Sequence, residues 1–408
     1  WRFNEKSGNT AVSGGDCGIA CNGNLTNFDS TTSQDVSEVN GWTQDTGRGS
    51  NVLKESFDSG EKNWNTDVGY ITKVPVETYS KLNTGRGSDG ACSVSSGTTN
   101  LNTASCSGRG TADAVAFVST ALSKSGETSI TVSTTPTGLS RGDEVMIFNA
   151  RGATTNYGGT GLYETHIIYS ISSNTLNFKD YPLKYTYDGT TQSIIVQRVP
   201  NYTSVSVSSG AVLTANAWDG TKGGILFFRA NGTVTNSGTI SMDAKGYRGG
   251  IGGPSGSGGG GTGRGGEAYC GNPGGGGAST FNATCGGGSG GGISVSGGGT
   301  GTSTGGGGGG GGLGGGDPDA YGGGGAGGGY GGPGIRGTGA SSGITGGRND
   351  SGNGGNGGTR RGGGGGGGGT YGASDLSRLY FGSGAGGGGA IWGNAAGGNG
   401  GAGGGIVY

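Results

Sequence analysis

The feature that most constrains this chain is where its glycines lie. Of 112 glycines in 408 residues, about thirty fall in residues 1–245 and about eighty in residues 246–408. The last stretch is therefore roughly half glycine, against about 7% in ordinary soluble domains. Glycine costs roughly 1 kcal/mol relative to alanine inside a helix, which argues against α-helical structure there. Hydrophobic residues make up 29% of the chain, below the usual share of about 45–50%, which argues against one large conventional core. The chain falls into two physical regimes.

Residues 246–408 contain glycine runs at 305–312, 322–325 and 362–369. With 8 prolines and no sustained Gly-x-Y triplet, collagen is excluded. A flexible linker and a bundle of polyglycine II helices remain. Such helices have about three residues per turn and no internal hydrogen bonds, so their backbone groups point outward. Without side chains, neighbours approach closely enough for each to satisfy the next. The runs are interrupted by aromatic inserts carrying Tyr321, Tyr330, Tyr371, Tyr380 and Trp392, which linkers seldom contain. The bundle is the expected form, over roughly residues 250–405. The aromatic residues would either cap it or form ligand-binding loops.

Residues 113–245 alternate apolar positions at Ile130/Val132, Val145/Ile147, Leu176/Phe178, Ile194/Val196, Val205/Val207, Ile225/Phe227 and Ile240/Met242, with glycine turns between them. This spacing predicts an all-β fold with almost no α-helix: a β-sandwich or barrel passing into a β-solenoid. Short similar units at 205–210, 212–220 and 234–238 suggest solenoid rungs. Residues 76–112 read as a polar Gly/Ser/Thr connector. Arg86 and Arg109 each sit between glycines, where glycine supplies a turn and arginine a carbonyl-capping or solvated donor. An RNA-binding reading needs denser arginines, and the net charge of −1 lacks the usual basic surplus. The Arg141-Gly142-Asp143 tripeptide precedes a strand and reads as turn chemistry rather than an integrin motif.

The six cysteines form three local pairs: Cys17 with Cys21, Cys92 with Cys106, and Cys270 with Cys285. Zinc sites favour Cys-x-x-Cys spacing, often with histidine, yet His166 is the single histidine. Disulfides in an oxidising, extracellular or cell-surface compartment are expected. Sequons at Asn24, Asn201, Asn231, Asn282 and Asn349 permit glycosylation. No apolar run approaches the roughly 20 residues that span a bilayer. The chain starts at Trp1 and stops as a strand begins at Ile406, which reads as part of a longer polypeptide.

Two resemblances bear on organisation. The motifs Trp1-Arg2-Phe3-Asn4-Glu5-Lys6-Ser7-Gly8, Gly23-Asn24-Leu25, Gly41-Trp42-Thr43, Leu53 and Phe57-Asp58 resemble the opening strands of laminin-G-like, concanavalin-type β-sandwiches. This makes residues 1–75 a partial module of a kind that binds carbohydrate or acts as a spacer. From Thr84-Gly85-Arg86-Gly87-Ser88 through Val196-Gln197-Arg198-Val199-Pro200 to Gly246-Tyr247-Arg248-Gly249-Gly250, the chain is similar to secreted glycine-rich surface proteins of prokaryotes. There a β module leads into a glycine-rich tract like the polyglycine sandwiches of some phage adhesins and insect antifreeze proteins. The resemblance implies a structural or adhesive role and brings no catalytic residue.

Enzymatic chemistry finds little footing. His166 alone would have to serve any Ser/His/Asp or Cys/His system, and it lies in a strand-like segment. No P-loop is present. Asp317 and Asp319 flank Pro318 as in a turn, and a structural calcium ion has no motif to place it. The expected function is a non-enzymatic secreted surface protein that assembles with copies of itself into a filament or matrix. The alternative is an adhesin whose aromatic loops bind surface glycans. Ice binding would want regular Thr or Ala repeats. Strand addition through Trp1 and Phe3 at one end and Ile406 and Tyr408 at the other would join the copies.

Overall fold

The computed structural model describes residues 84–153, 155–179, 181–254, 263–270, 371–372, 375–389 and 396–408, together with the backbone of four short strands before residue 84. The chain divides into two compact units, Trp1–Asn83 and Thr84–Tyr408. In the first, β1 (Thr10–Ala11) pairs antiparallel with β2 (Gly23–Asn24). β3 (Trp42–Asp45) pairs antiparallel with β4 (Ser50–Leu53), with Trp42 opposite Leu53.

The second unit is all-β, with no helix among the described residues. Its frame is a short parallel β-solenoid of three rungs. β5 (Ala91–Val94) and β6 (Thr98–Asn100) belong to the first rung. The second is β15 (Asn201–Tyr202), β16 (Ser204–Val207), β17 (Val212–Thr214) and β18 (Ile225–Leu226). The third comprises β19 (Arg229–Ala230), β20 (Val234–Asn236), β21 (Thr239–Ile240) and β22 (Ile406–Val407). Register is strict: Cys92, Val205 and Val234 align, as do Thr99, Leu213 and Ile240. The units at 205–210 and 212–220 are thus successive sides of one rung, and only 234–238 belongs to another.

Side chains make this frame. Cys92, Val94, Leu101, Tyr202, Val205, Val207 and Leu213 are buried together inside the solenoid. Burying each such side chain contributes about 1.5–3 kcal/mol. The stretch read as a polar connector supplies β5 and β6, and the Cys92–Cys106 disulfide clips them to the loop that follows.

An antiparallel insert separates the first and second rungs. It holds β7 (Ala116–Ser119), β8 (Leu122–Ser123), β9 (Ser129–Thr131), β10 (Glu144–Arg151), β11 (Tyr163–Ser172), β12 (Thr175–Phe178), β13 (Tyr187–Asp188) and β14 (Ser193–Val199). Six of these form a sheet in the order β7-β14-β10-β11-β12-β9, while β8 pairs with β13. The central strand β10 is buried on both faces. Val145 and Ile147 enter one core with Ile168, Leu176 and Ile194. Met146, Phe148 and Ala150 enter another with Trp218, Phe227, Tyr247 and Phe381. The second core is where the sheet, the solenoid and the glycine-rich tract meet.

The glycine-rich tract is itself an insert. Residues between β21 and β22 leave the third rung, and β22 completes it by pairing in parallel with β18, Ile406 beside Ile225. This corrects the expectation that Ile406 and Tyr408 begin an unpartnered strand. Tyr408 donates its backbone N–H to the Leu226 carbonyl at 2.9 Å. Its ring packs edge-on to Phe227 and Tyr163, 4.9 and 5.5 Å between centroids.

Candidate assembly surface

Four glycine-rich segments, 246–254, 263–267, 382–389 and 396–405, lie side by side, joined by main-chain hydrogen bonds. Their spacing identifies the conformation. The N–H groups of Tyr247, Gly250 and Gly253 donate to the carbonyls of Gly382, Ala385 and Gly388. Gly397, Gly400 and Gly403 donate to Gly253, Gly250 and Tyr247. Gly382, Ala385 and Gly388 donate to Gly404, Gly401 and Gly398, and Gly384 and Gly387 to Glu267 and Arg264. Every ladder advances by three residues, whereas a β-ladder advances by two. A threefold repeat with bonds only between neighbours is polyglycine II. Segments 246–254 and 382–389 run parallel and each bonds three neighbours.

Glycine is obligatory at those contact positions where a neighbouring carbonyl lies against the Cα. A Cβ on Gly250 would overlap the Arg264 carbonyl, one on Gly266 that of Gly384, and one on Gly400 that of Ala385. Segment 396–405 shows the other side of this periodicity. Gly397, Gly400 and Gly403 face inward, while Gly398, Gly401 and Gly404 are exposed, with nothing within 4 Å of an added Cβ. The N–H groups of these three donate to no acceptor among the described residues. The result is an exposed ridge of bare backbone.

Side chains clamp this bundle to the β frame. Glu267, fully buried, accepts hydrogen bonds from Trp218 Nε1 (3.1 Å), from the Arg248 backbone N–H (2.9 Å), and from Arg248 Nε (2.9 Å) and Nη2 (3.2 Å). It also pairs with Arg151 of β10. One carboxylate therefore ties two glycine segments, the solenoid and the sheet. Phe381 packs against Tyr247, Trp218 and Phe148 at 5.1, 5.4 and 5.7 Å between centroids, and Tyr247 donates to the Ala150 carbonyl at 2.6 Å. Burial pushes the Tyr247 phenol well above its ordinary range.

The residues singled out from sequence have the following places. Cys92 and Cys106 are bonded to each other, and Cys270 is in a disulfide. Cys17, Cys21 and Cys285 lie outside the described residues, as do Trp1, Phe3, Tyr321, Tyr330 and Trp392. Tyr371 and Tyr380 are half-buried and pack with Tyr269 and with each other, at centroid separations of 5.3–5.8 Å. Arg378 beside them donates to the carbonyls of Gly158 and Thr160, both at 2.7 Å, so this stretch grips the sheet. Asn201 is buried and hydrogen-bonded, while Asn231 is exposed.

Two further sequence features have structural employment. His166 is buried, stacks on Phe178 at 4.5 Å and bonds Glu164 at 2.8 Å. Burial raises the Glu164 pKa, but the His166 hydrogen bond and the N–H groups of Lys184 and Tyr185 outweigh it and hold the carboxyl below its ordinary value. Asp143 of the Arg-Gly-Asp tripeptide pairs with Arg198 at 2.7 Å and Arg109 at 3.5 Å, with its side chain 11% exposed. Arg109 also donates to the Gly138 carbonyl at 2.7 Å, a carbonyl-capping role. Among the described residues no group of His, Cys, Asp and Glu is arranged to hold a metal ion, and no helix is long and apolar enough to cross a membrane.

Fold and site together define an all-β, disulfide-bonded solenoid carrying an antiparallel insert and a polyglycine II insert. No protein family matches the chain, and no curated protein does. Among solved structures it is similar to the tailspike protein gp49 from Pseudomonas phage LKA1, 17% identical over 26% of this chain and 21% of that one, with a TM-score of 0.17. It is similar to the Pseudomonas phage phi297 tailspike gp61, 13% identical over 37% and 24%, TM-score 0.18. A third is the Gp54 tailspike of Acinetobacter baumannii bacteriophage AP22 in complex with A. baumannii capsular saccharide, 14% identical over 31% and 22%, TM-score 0.18. The chain spans about a quarter or less of the length of these structures.

Proposed function

We propose that this chain is a secreted, non-enzymatic structural protein that associates with copies of itself through the 396–405 ridge, building an extracellular filament or matrix. The ridge carries the reading. Among the described residues its N–H groups at Gly398, Gly401 and Gly404 lack acceptors, and no side chain stands within 4 Å of an added Cβ there. A second ridge could approach to main-chain bonding distance, as the segments inside the bundle already do. Contact through bare glycine costs no side-chain entropy, because glycine has no side chain to order. The disulfides favour an oxidising compartment. The adhesin alternative, with Tyr371 and Tyr380 among its ligand loops, has less support because these two rings pack on Tyr269.

Gly401→Lys tests the proposal, because its side chain would extend into open space and leave the fold intact. Light scattering across a concentration series, with electron microscopy, should show higher-order particles for the natural chain and monomers for the variant. A natural chain monomeric throughout, or a variant that assembles equally, would overturn it.

A further inference from the structure

The six-stranded insert carries a surface feature unrelated to the ridge. In the pairing of β11 with β12, Ile168 faces Phe178 and Ser170 faces Asn177, so the register shifts across Tyr169. Tyr169 is the extra residue of a β-bulge. Bulges re-aim a side chain, and they gather at binding sites. Here Tyr169 stands 44% exposed with two cations over its ring. Arg141 Cζ lies 4.9 Å from the ring centroid and Lys179 Nζ lies 5.5 Å from it.

Both cations are placed by backbone. Gly142 donates to the Ile168 carbonyl at 2.8 Å, and Ile168 donates to the Asp143 carbonyl at 2.9 Å, locking the Arg141 turn beside the bulge. Lys179 directly follows Phe178, the partner of Ile168. Neither cation has a carboxylate partner among the described residues. The neighbouring Asp143 is committed to Arg198 and Arg109. Among the described residues the Tyr169 hydroxyl likewise has no hydrogen-bond partner. In a chain of net charge −1, two cations without a carboxylate partner among the described residues meet on one exposed ring, a geometry suited to an anion.

We infer that Arg141, Tyr169 and Lys179 form a subsite for an acidic saccharide. A sugar carboxylate would accept charge-assisted hydrogen bonds from the guanidinium and ammonium groups. The phenol would meet the sugar hydroxyls, and the uncovered part of the ring would meet a C–H face. Two cations are too few for nucleic acid, whose binders neutralise about 6–10 phosphates. They are also too few for an anionic membrane, which is read by clusters of about 4–8 basic residues. A single carboxylate on a polyhydroxylated ring matches the number and kind of groups present.

The test is surface plasmon resonance of the full chain over immobilised polygalacturonate and polysialic acid, with methyl-esterified polygalacturonate, dextran and poly-glutamate as controls. The natural chain should bind at least one acidic glycan and neither the ester nor dextran. The double variant Arg141→Gln/Lys179→Gln should lose about tenfold in affinity or more, the equivalent of one lost charge-assisted contact. Tyr169→Ser should lose about threefold to tenfold. Circular dichroism should be unchanged, because all three side chains are exposed. No binding to either acidic glycan, equal binding to the ester, equal binding to poly-glutamate, or undiminished binding by the double variant would each overturn the inference. None of these substitutions touches the ridge, so light scattering separates this result from the assembly proposal.

Discussion

Strand β10 and glycine segment 246–254 are neighbours held by opposite means. In β10 alternate side chains fill two different cores, with Val145 and Ile147 on one face and Met146, Phe148 and Ala150 on the other. In 246–254 the contacts are carbonyls and N–H groups of three adjoining segments, and a methyl group at Gly250 or Gly252 would overlap a carbonyl. One region is stable because side chains occupy space. The other is stable because they do not. A bare backbone still cannot anchor itself to a side-chain core, and that work falls to Glu267, Tyr247 and Phe381. The few large residues in a glycine tract are therefore its attachments to the rest of the fold.

The sharpest way to break this contrast is Glu267→Ala. It removes the buried ion-pair partner of Arg151 and the acceptor of Trp218 and Arg248, so we expect a loss of about 3–5 kcal/mol. Loss of amide protection in 246–254 and 382–389 by hydrogen exchange should accompany it. A variant whose bundle stayed protected would show that the glycine lattice needs no clamp.

A paired substitution sharpens the same comparison. Leu213→Ala empties part of the solenoid core and should cost about 2–5 kcal/mol in chemical denaturation. Gly250→Ala does the reverse, adding a methyl where a carbonyl stands, and should cost about 1–3 kcal/mol. Gly401→Ala, on the open face, should stay within about 0.5 kcal/mol. Equal effects at Gly250 and Gly401 would mean that the threefold spacing does not govern this tract.

The smallest expected effect is an acid dependence within the sheet. The Glu164 pKa lies below the ordinary value of 4.5. Its contribution is therefore fully present above that value and is lost as pH falls through the folded-state pKa. Glu164→Gln should flatten the acid limb of the stability curve. It should leave the glycine bundle's exchange protection unchanged at neutral pH. An unaltered acid limb would show that the His166–Glu164 pair adds nothing to stability.

Much of the all-β character was legible in the residues. Each apolar pair from Ile130/Val132 to Ile240/Met242 has at least its first member in a strand, with Val132, Phe227 and Met242 just beyond the strand ends, because alternation is a local property of a pleated chain. The Cys92–Cys106 staple was legible from proximity. β5 and β6 were not, since Ala91-Cys92-Ser93-Val94 and Thr98-Thr99-Asn100 carry too little apolar signal alone. They become strands by aligning with Ser204–Val207 and Val212–Thr214. Glu267 escaped notice because one acid among glycines has no local pattern. Tyr169 escaped because its bulge is a mismatch between two strands and not a motif in either.

By itself, then, the sequence determined what each stretch could be: strands where apolar residues alternate, and a backbone lattice where side chains are missing. Only the tertiary structure decided that the chain's last strand returns to finish the third rung, making the glycine tract an insert. The physical reason is that main-chain groups at 225–226 and 406–407 are chemically alike in every protein. Their pairing depends on what brings two segments about 180 residues apart to one edge. Here the clamp at Glu267 and the aromatic core around Phe381 do that.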